Sequence, residues 1–475
     1  MSRDKEEIKK SSLDHEISIN QGGIRMLKRK WTRLIAASAI LTLIVSGCAS
    51  GSGGNQAQGS GSNGGSSSDG SVTIKLHTWY PKKTDNWDVA IAEFEKKYPN
   101  IKVEFVSAED NNSNEYYKKL DLAAASGEDL DVMMFSNMNF LSQRMELGML
   151  EPIDGYMEKE GVVLADEYTV DTRIAGKTYG LPGKSSLPLV FINENHLKEA
   201  GLELPKDWTW DEFMQYAKAM TKTEGSKTRY GTYFHSWATM AFFVQNMNQA
   251  VGANLTTDDG TKANADTPYV RKSLELRLQG EKEGSVTPYA EVVSQKLNYR
   301  PQYFNQETSM LSMATFLVPE AGGTEQVPAA FKTVFAPIPK VNKEDPISGN
   351  VSGDVLGIYS KSKHKEEAYT FIRWYTTEGI ALQGKYFPSW KKADMNEVVD
   401  KLIAGTQTPE MIDKDSLLYV LENTKQTTPA VAVPFHAELE KVFVEEFDAM
   451  MLSAQDLDTT VKNAQERIQK IIDSK

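Results

Sequence analysis

From Val72 to Phe135 the hydrophobic period switches back and forth between two residues and nearly four, and few folds accommodate that alternation. Val72, Ile74 and Leu76 alternate with polar residues, the pattern of a half-buried strand running into Thr78-Trp79-Tyr80-Pro81. Asp88 to Tyr98 reads as a helix with Val89, Ala92 and Phe94 on its apolar face and Pro99-Asn100 as its stop. Ile101, Val103 and Phe105 form a second alternating strand. A helix around Tyr116 to Ser126 follows, ended by Gly127, and the apolar run Val132 to Phe135 reads as a deeper strand. Strand–helix–strand spacing of this kind predicts an α/β fold, a parallel sheet with helices on both faces. After Pro205 the pattern turns mostly helical with aromatic-rich loops, and no internal repeat is visible.

The chain has one cysteine, Cys48, at the end of a short apolar run. Lys28, Arg29, Lys30 and Arg33 precede that run, which extends from Leu34 to about Ser46 and closes in Val45-Ser46-Gly47-Cys48. Roughly a dozen apolar residues are too few to span a bilayer, which needs about 20. Charged region, apolar run and small residues stand in the order of an export signal, and the ending resembles a bacterial lipobox. This order disfavours the competing reading of Cys48 as a buried cysteine closing an apolar helix. Residues 1–47 are therefore read as a signal peptide and Cys48 as the lipidation site. Two acyl chains would anchor the chain to the membrane without spanning it. Translation is expected to start at Met26, which opens the better signal; an extended leading region is the alternative.

Residues 48–71 form the lipidated linker, and its Gly/Ser/Asn/Gln run from Ala49 to Ser71 cannot bury enough surface to fold. Such a coil has a mean reach of about 26 Å. With the cysteine lipidated, no disulfide is available, so stability must come from a packed core, and residues 72–475 are ample for two lobes. The whole chain carries −12; residues 1–47 hold nine Lys/Arg against five Asp/Glu, so the remainder carries about −16. That acidity argues against nucleic acid as a partner.

Several later segments, taken in order, carry a resemblance. They are Ala92 to Ile101, Ala123 to Val132, Gly148 to Asp154, Gly176 to Pro182, Phe191 to Leu202 with Trp208 to Phe213, and Ala368 to Trp374. Together they resemble a family 1 extracellular solute-binding lipoprotein of an ABC importer, the family that contains maltose-binding proteins. The resemblance implies a two-lobe, periplasmic-binding-protein-like α/β fold of type II, its lobes joined by a hinge crossed more than once. Lobe one is expected over about 72–184 and 355–400, lobe two over about 185–354 and 401–475, with crossings near Gly183–Ser186 and Asp354–Ile358. Ligands of such folds sit beyond the carboxyl ends of the strands, between the lobes. The segment Gln306 to Met310, followed by Ala314-Thr315-Phe316, departs from the family pattern, with Phe316 where a ligand-stacking tryptophan is usual.

A sugar presents hydroxyls at its rim and C–H faces above and below, so its site wants flat aromatic platforms and a few polar groups at the edges. The candidates are Trp79 and Tyr80 at one strand end, Phe135, Ser136 and Asn137 at another, and Lys184 at the hinge. Trp237, Phe316, Asp354, Trp390 and His436 complete them. Large aromatics are more often core than cleft. Trp79, Tyr80 and Trp390 stay open between the two, and Lys184 stays open between a hinge salt bridge and a ligand contact. Trp208, Trp210 and Trp374 are assigned to structure, with Thr209 as a helix cap.

Other chemistry is poorly supported. Gly176-Lys177-Thr178 and Gly183-Lys184-Ser185 lack the leading glycine of a phosphate loop. The run Asp110-x-Asn112-x-Asn114 has Glu115 where a calcium loop turns on glycine. The histidines show no zinc spacing, and no catalytic residue, metal or cofactor is expected. The sequence reading is a monomeric receptor on the outer face of a bacterial membrane. It takes a small solute, a mono- or oligosaccharide, to ABC permease subunits by hinge closure. The alternatives are a ligand-presenting subunit for a membrane sensor kinase and a surface glycosidase.

Overall fold

A computed structural model describes residues 70–107, 111–323, 328–429 and 433–475. The export signal, Cys48, nearly all of the linker and Asp110 of the calcium-like run lie outside these described residues. Among the described residues no helix is long and apolar enough to cross a membrane.

The body is built on two five-stranded sheets. The first contains β1 (Val72–His77), β2 (Ile101–Val106), β3 (Val132–Phe135) and β4 (Leu181–Ser186). The second contains β5 (Pro188–Asn193), β6 (Lys222–Glu224), β7 (Lys227–Tyr233), β8 (Thr308–Ala314) and β9 (Thr333–Pro337). The chain then returns to the first sheet as β10 (Ser352–Ile358), giving the orders β2-β1-β3-β10-β4 and β9-β5-β8-β7-β6. β1 pairs in parallel with β2 and β3, as the βαβ spacing predicts. The sheet is nevertheless mixed, because β10 runs antiparallel to both β3 and β4. The second sheet, hidden in a region that reads as mostly helical, is the larger correction.

Each sheet has its own core. In the first, the helix Trp87–Lys97 buries Trp87, Ala90, Ile91 and Phe94. Phe94 meets Phe371 edge-on at 5.0 Å, from the helix Lys365–Trp374 on the far side of the chain's return. In the second, the helix Trp210–Met220 starts in a reciprocal cap: Thr209 accepts from the Glu212 amide, and Glu212 accepts from the Thr209 amide. That cap satisfies two otherwise orphaned donors and sets Trp210 and Phe213 facing inward. The closing helices His436–Met451 and Leu457–Ile472 pack with Pro268–Glu283 around Leu274, Phe443 and Val461. Arg277 lies beside this cluster, 1 % exposed, with the rings of Phe234, Tyr289 and Phe447 within 5.4 Å of its guanidinium carbon.

Besides a dip of Val170 into the second core, the chain passes between the cores three times. Leu181 belongs to the first and Leu187 to the second; Val351 belongs to the second and Val355 to the first; Tyr386 belongs to the first and Phe387 to the second. The third passage places Phe387, Val398 and Val399 in the second core, within the 355–400 stretch expected in lobe one. Backbone bonds lace the passages together: the Ser185 amide donates to the Phe387 carbonyl, and the Ser389 amide to that of Gly183, each at 2.7 Å.

Candidate ligand-binding cleft

The passages deliver three polar side chains to one point. β1 ends at His77, and Tyr80 follows three residues on. β4 carries Lys184, and β10 carries Asp354 at an irregularity in its pairing between Gly353 and Val355. Gly353 has to be glycine here, since a Cβ would stand 2.2 Å from the Lys184 carbonyl oxygen. The Tyr80 hydroxyl donates to Asp354 Oδ2 at 2.5 Å, Lys184 Nζ donates to the Tyr80 hydroxyl at 2.5 Å, and Nζ lies 3.1 Å from Asp354 Oδ2. The Lys184 ammonium rests 5.2 Å from the Tyr80 ring centre and 5.0 Å from that of Tyr386. Tyr386 in turn donates its hydroxyl to Asp85.

Burial dominates the electrostatics. It pushes the Asp354 carboxyl above the ordinary aspartate range, against the pull of Lys184 and the Tyr80 hydroxyl. It also lifts Asp85, against the Tyr386 hydrogen bond and Lys184. The Tyr80 hydroxyl is held well above its usual range by burial and by Asp354, so it stays a donor.

Phe135 and Trp79 belong to the core, whereas Ser136, Asn137 and Trp390 are partly exposed. Phe135 is fully buried and stacks against Tyr117, and Trp79, 5 % exposed, is walled in by Tyr80, Tyr116 and Tyr117. Neither ring face is free for a sugar. Ser136 bonds the Tyr117 hydroxyl, and Asn137 spends its side-chain oxygen capping the helix Met138–Glu146. His436 is buried at the start of its helix, 3.3 Å from Glu440. Trp390 bridges to Tyr168 along the third passage and lines a hinge-side cavity with Ser185, Thr315 and Phe387.

On the second lobe, Trp237 is 42 % exposed and packs at 5.2 Å on Tyr299 and 4.9 Å on His235. Phe316 meets Tyr299 edge-on at 6.4 Å. Arg300 stacks on Tyr299 at 4.7 Å and forms a two-pronged pair with Glu320. The charge of Asp85, from the first lobe, reaches Arg300. Asp85 and the Arg300–Glu320 pair therefore lie within electrostatic reach of each other. Asp85, Tyr299, Arg300, Glu320 and Tyr386 were missed in the sequence. Asp85 alone had a usable signal, lying in the loop just beyond a strand's carboxyl end.

A sequence profile described as bacterial extracellular solute-binding protein matches residues 80–381. The chain belongs to that family. A putative binding protein of Brucella abortus (strain 2308) is 26 % identical over 259 residues, covering 53 % of this chain and 59 % of the relative. The chain thus aligns with little more than half of that relative's length. A multiple sugar-binding protein of Streptococcus mutans is 22 % identical over 322 residues, 64 % of this chain and 71 % of the relative. A sugar transporter of Rhizobium etli, solved in an open conformation, superposes with a TM-score of 0.68 at 24 % identity, covering 84 % of this chain and 99 % of that one. The two-lobed fold of this solute-binding protein is that of its family, and the family is one of binding proteins rather than enzymes. Among its described residues no group of three or more metal-ligating side chains comes together.

Such a site suits a ligand held by contact rather than converted. Its buried polar groups are already paired with one another, so the protein alone leaves few unsatisfied. An exposed indole on one lobe and a hydroxyl-rich floor on the other are what a polyhydroxylated ring needs.

Proposed function

We propose that this solute-binding protein captures an uncharged saccharide between its lobes and presents it to an ABC importer. Cys48 would carry the lipid that holds it at the outer face of the membrane. The observation that carries the reading is the exposed ring of Trp237, packed on Tyr299 in the lobe opposite the Lys184–Tyr80–Asp354 cluster. A sugar lying on the indole would reach the floor only when the lobes approach, so binding would favour the closed form. The relative from S. mutans, named for sugar binding, supports the solute class.

The test is a thermal-shift screen of the purified chain against mono- and oligosaccharides, amino acids and polyamines. A ligand at 100 times its dissociation constant adds about 2.7 kcal/mol. A shift from a saccharide, confirmed by calorimetry, is the expected result; a shift only from another class would overturn the solute assignment. Labelling cells with radioactive palmitate, then repeating with Cys48→Ala, tests the anchor: label that persists in the variant sinks it.

A further inference from the structure

The floor of the cleft has the composition of a cation site. The Tyr80 hydroxyl oxygen lies 2.5 Å from one point, the Tyr386 ring centre 5.0 Å and the Asp354 carboxylate 3.1 Å. Asp85, held by the Tyr386 hydroxyl, adds a second carboxylate whose charge reaches the same point. Ring faces carry negative quadrupole density, and stacked with carboxylates they hold ammonium groups strongly once water is excluded. Here the cation at that point is the chain's own Lys184 ammonium. Its side chain is 13 % exposed and that of Asp354 5 %, so the charge is largely desolvated yet touches the cleft.

We propose that Lys184 fills the cation subsite of this cleft from within and thereby excludes positively charged solutes. This rests on the reading of the cleft as the binding site, and it makes Lys184 a specificity-determining residue rather than a direct ligand contact. An incoming ammonium would meet a like charge already seated against the Tyr386 ring and Asp354, and displacing it would strand a buried lysine. A neutral solute meets no such penalty, because the ammonium, the Tyr80 hydroxyl and Asp354 satisfy one another.

The experiment is chemical rescue of Lys184→Ala in the full chain. Melting temperature is followed as methylammonium or tetramethylammonium chloride is added, with sodium chloride as the ionic-strength control. The expected result is a lowered melting point that amine, but not sodium, restores by a saturating rise of about 2 °C or more. The wild type shows no amine-specific rise. Adding Asp354→Asn to the variant abolishes the rescue. Should Lys184→Ala not fold alone, folding only in the presence of amine supports the proposal equally, and failure to fold in amine overturns it. An unresponsive variant, or a wild type that responds as strongly, also overturns it. Saccharide binding is read separately. Its absence with rescue intact removes the solute assignment and leaves the cage; its presence without rescue removes the cage alone.

Discussion

The Tyr80 hydroxyl and Asp354 Oδ2, 274 positions apart in the chain, stand 2.5 Å apart. The bond ties the loop after the first strand to the second passage between the cores. Tyr80→Phe keeps the ring and removes the hydroxyl that Asp354 accepts from. A hydrogen bond to a charged group contributes about 1.5–3 kcal/mol, so stability to urea should fall by about that amount. Asp354→Ala should cost more, about 3–5 kcal/mol, because it leaves the Lys184 ammonium buried without its counter-ion. Equal losses for the two variants would show that the ion pair is not the larger element.

Trp237 and Trp79 should behave oppositely. Trp237→Ala removes an exposed ring, so saccharide affinity should drop about tenfold or more, by calorimetry, with urea stability little changed. Trp79→Ala opens a cavity in the first core and should cost about 3–5 kcal/mol. A stable Trp79→Ala protein with weakened binding would move that ring to the cleft.

Stability should fall with acid between about pH 6.5 and 4. Burial, with Lys75 nearby, lowers His77 to about 4, and burial with Arg229 nearby does the same to His196. Each has a ring nitrogen without a hydrogen-bond partner, which suits the neutral imidazole. Below their unfolded pKa the unfolded chain binds protons that the native state refuses, so stability rises with pH across that window. The raised carboxyls of Asp85 and Asp354 act the other way as pH climbs above the ordinary aspartate range. The comparison is therefore with His77→Gln/His196→Gln. The variant should lose less stability between pH 6.5 and 4 in urea titrations; an identical slope would clear both histidines.

Arg277 is fully buried, and none of its side-chain nitrogens has a hydrogen-bond partner. Burial lowers its pKa to about 10. Three ring faces compensate for part of the lost hydration, and an apolar side chain of similar volume avoids that loss altogether. Arg277→Met should be neutral or stabilising by about 1–4 kcal/mol in urea denaturation. A clear loss would mean that the rings hold the charge better than water does.

The first lobe was legible because each of its early elements buries one face. The alternation at Val72, Ile74 and Leu76 survives into β1, and its partner helix keeps its place within a residue, but of the expected apolar face only Phe94 is buried; Val89 and Ala92 are exposed, and Trp87, Ala90 and Ile91 turn inward instead. The second sheet was not legible, because β5 is buried along its whole length and β8 along all but its last residue. A strand covered on both sides has no alternation to read. Tyr80, Lys184 and Asp354 could be singled out because each lies at a strand end or a crossing. Their meeting depends on the register between β4 and β10, which a sequence does not display. Trp79 and Tyr80 are neighbours with equal claims from sequence and equal burial; Tyr116 and Tyr117 pack on the first, while the hydroxyl of the second meets Lys184 and Asp354.

The position of β10 has a consequence for the order of assembly. It lies between β3 and β4, yet it is made only after the entire second sheet. Until residue 358 is available, the first sheet has a gap in its middle, with Phe135 and Ser185 both lacking their pairing partners. Two unpaired strand edges invite aggregation, and closing so long a loop is slow. The first lobe can therefore not be made and stored as a finished unit before the second sheet. A truncation anywhere before Ser352 should yield an insoluble fragment rather than half a receptor.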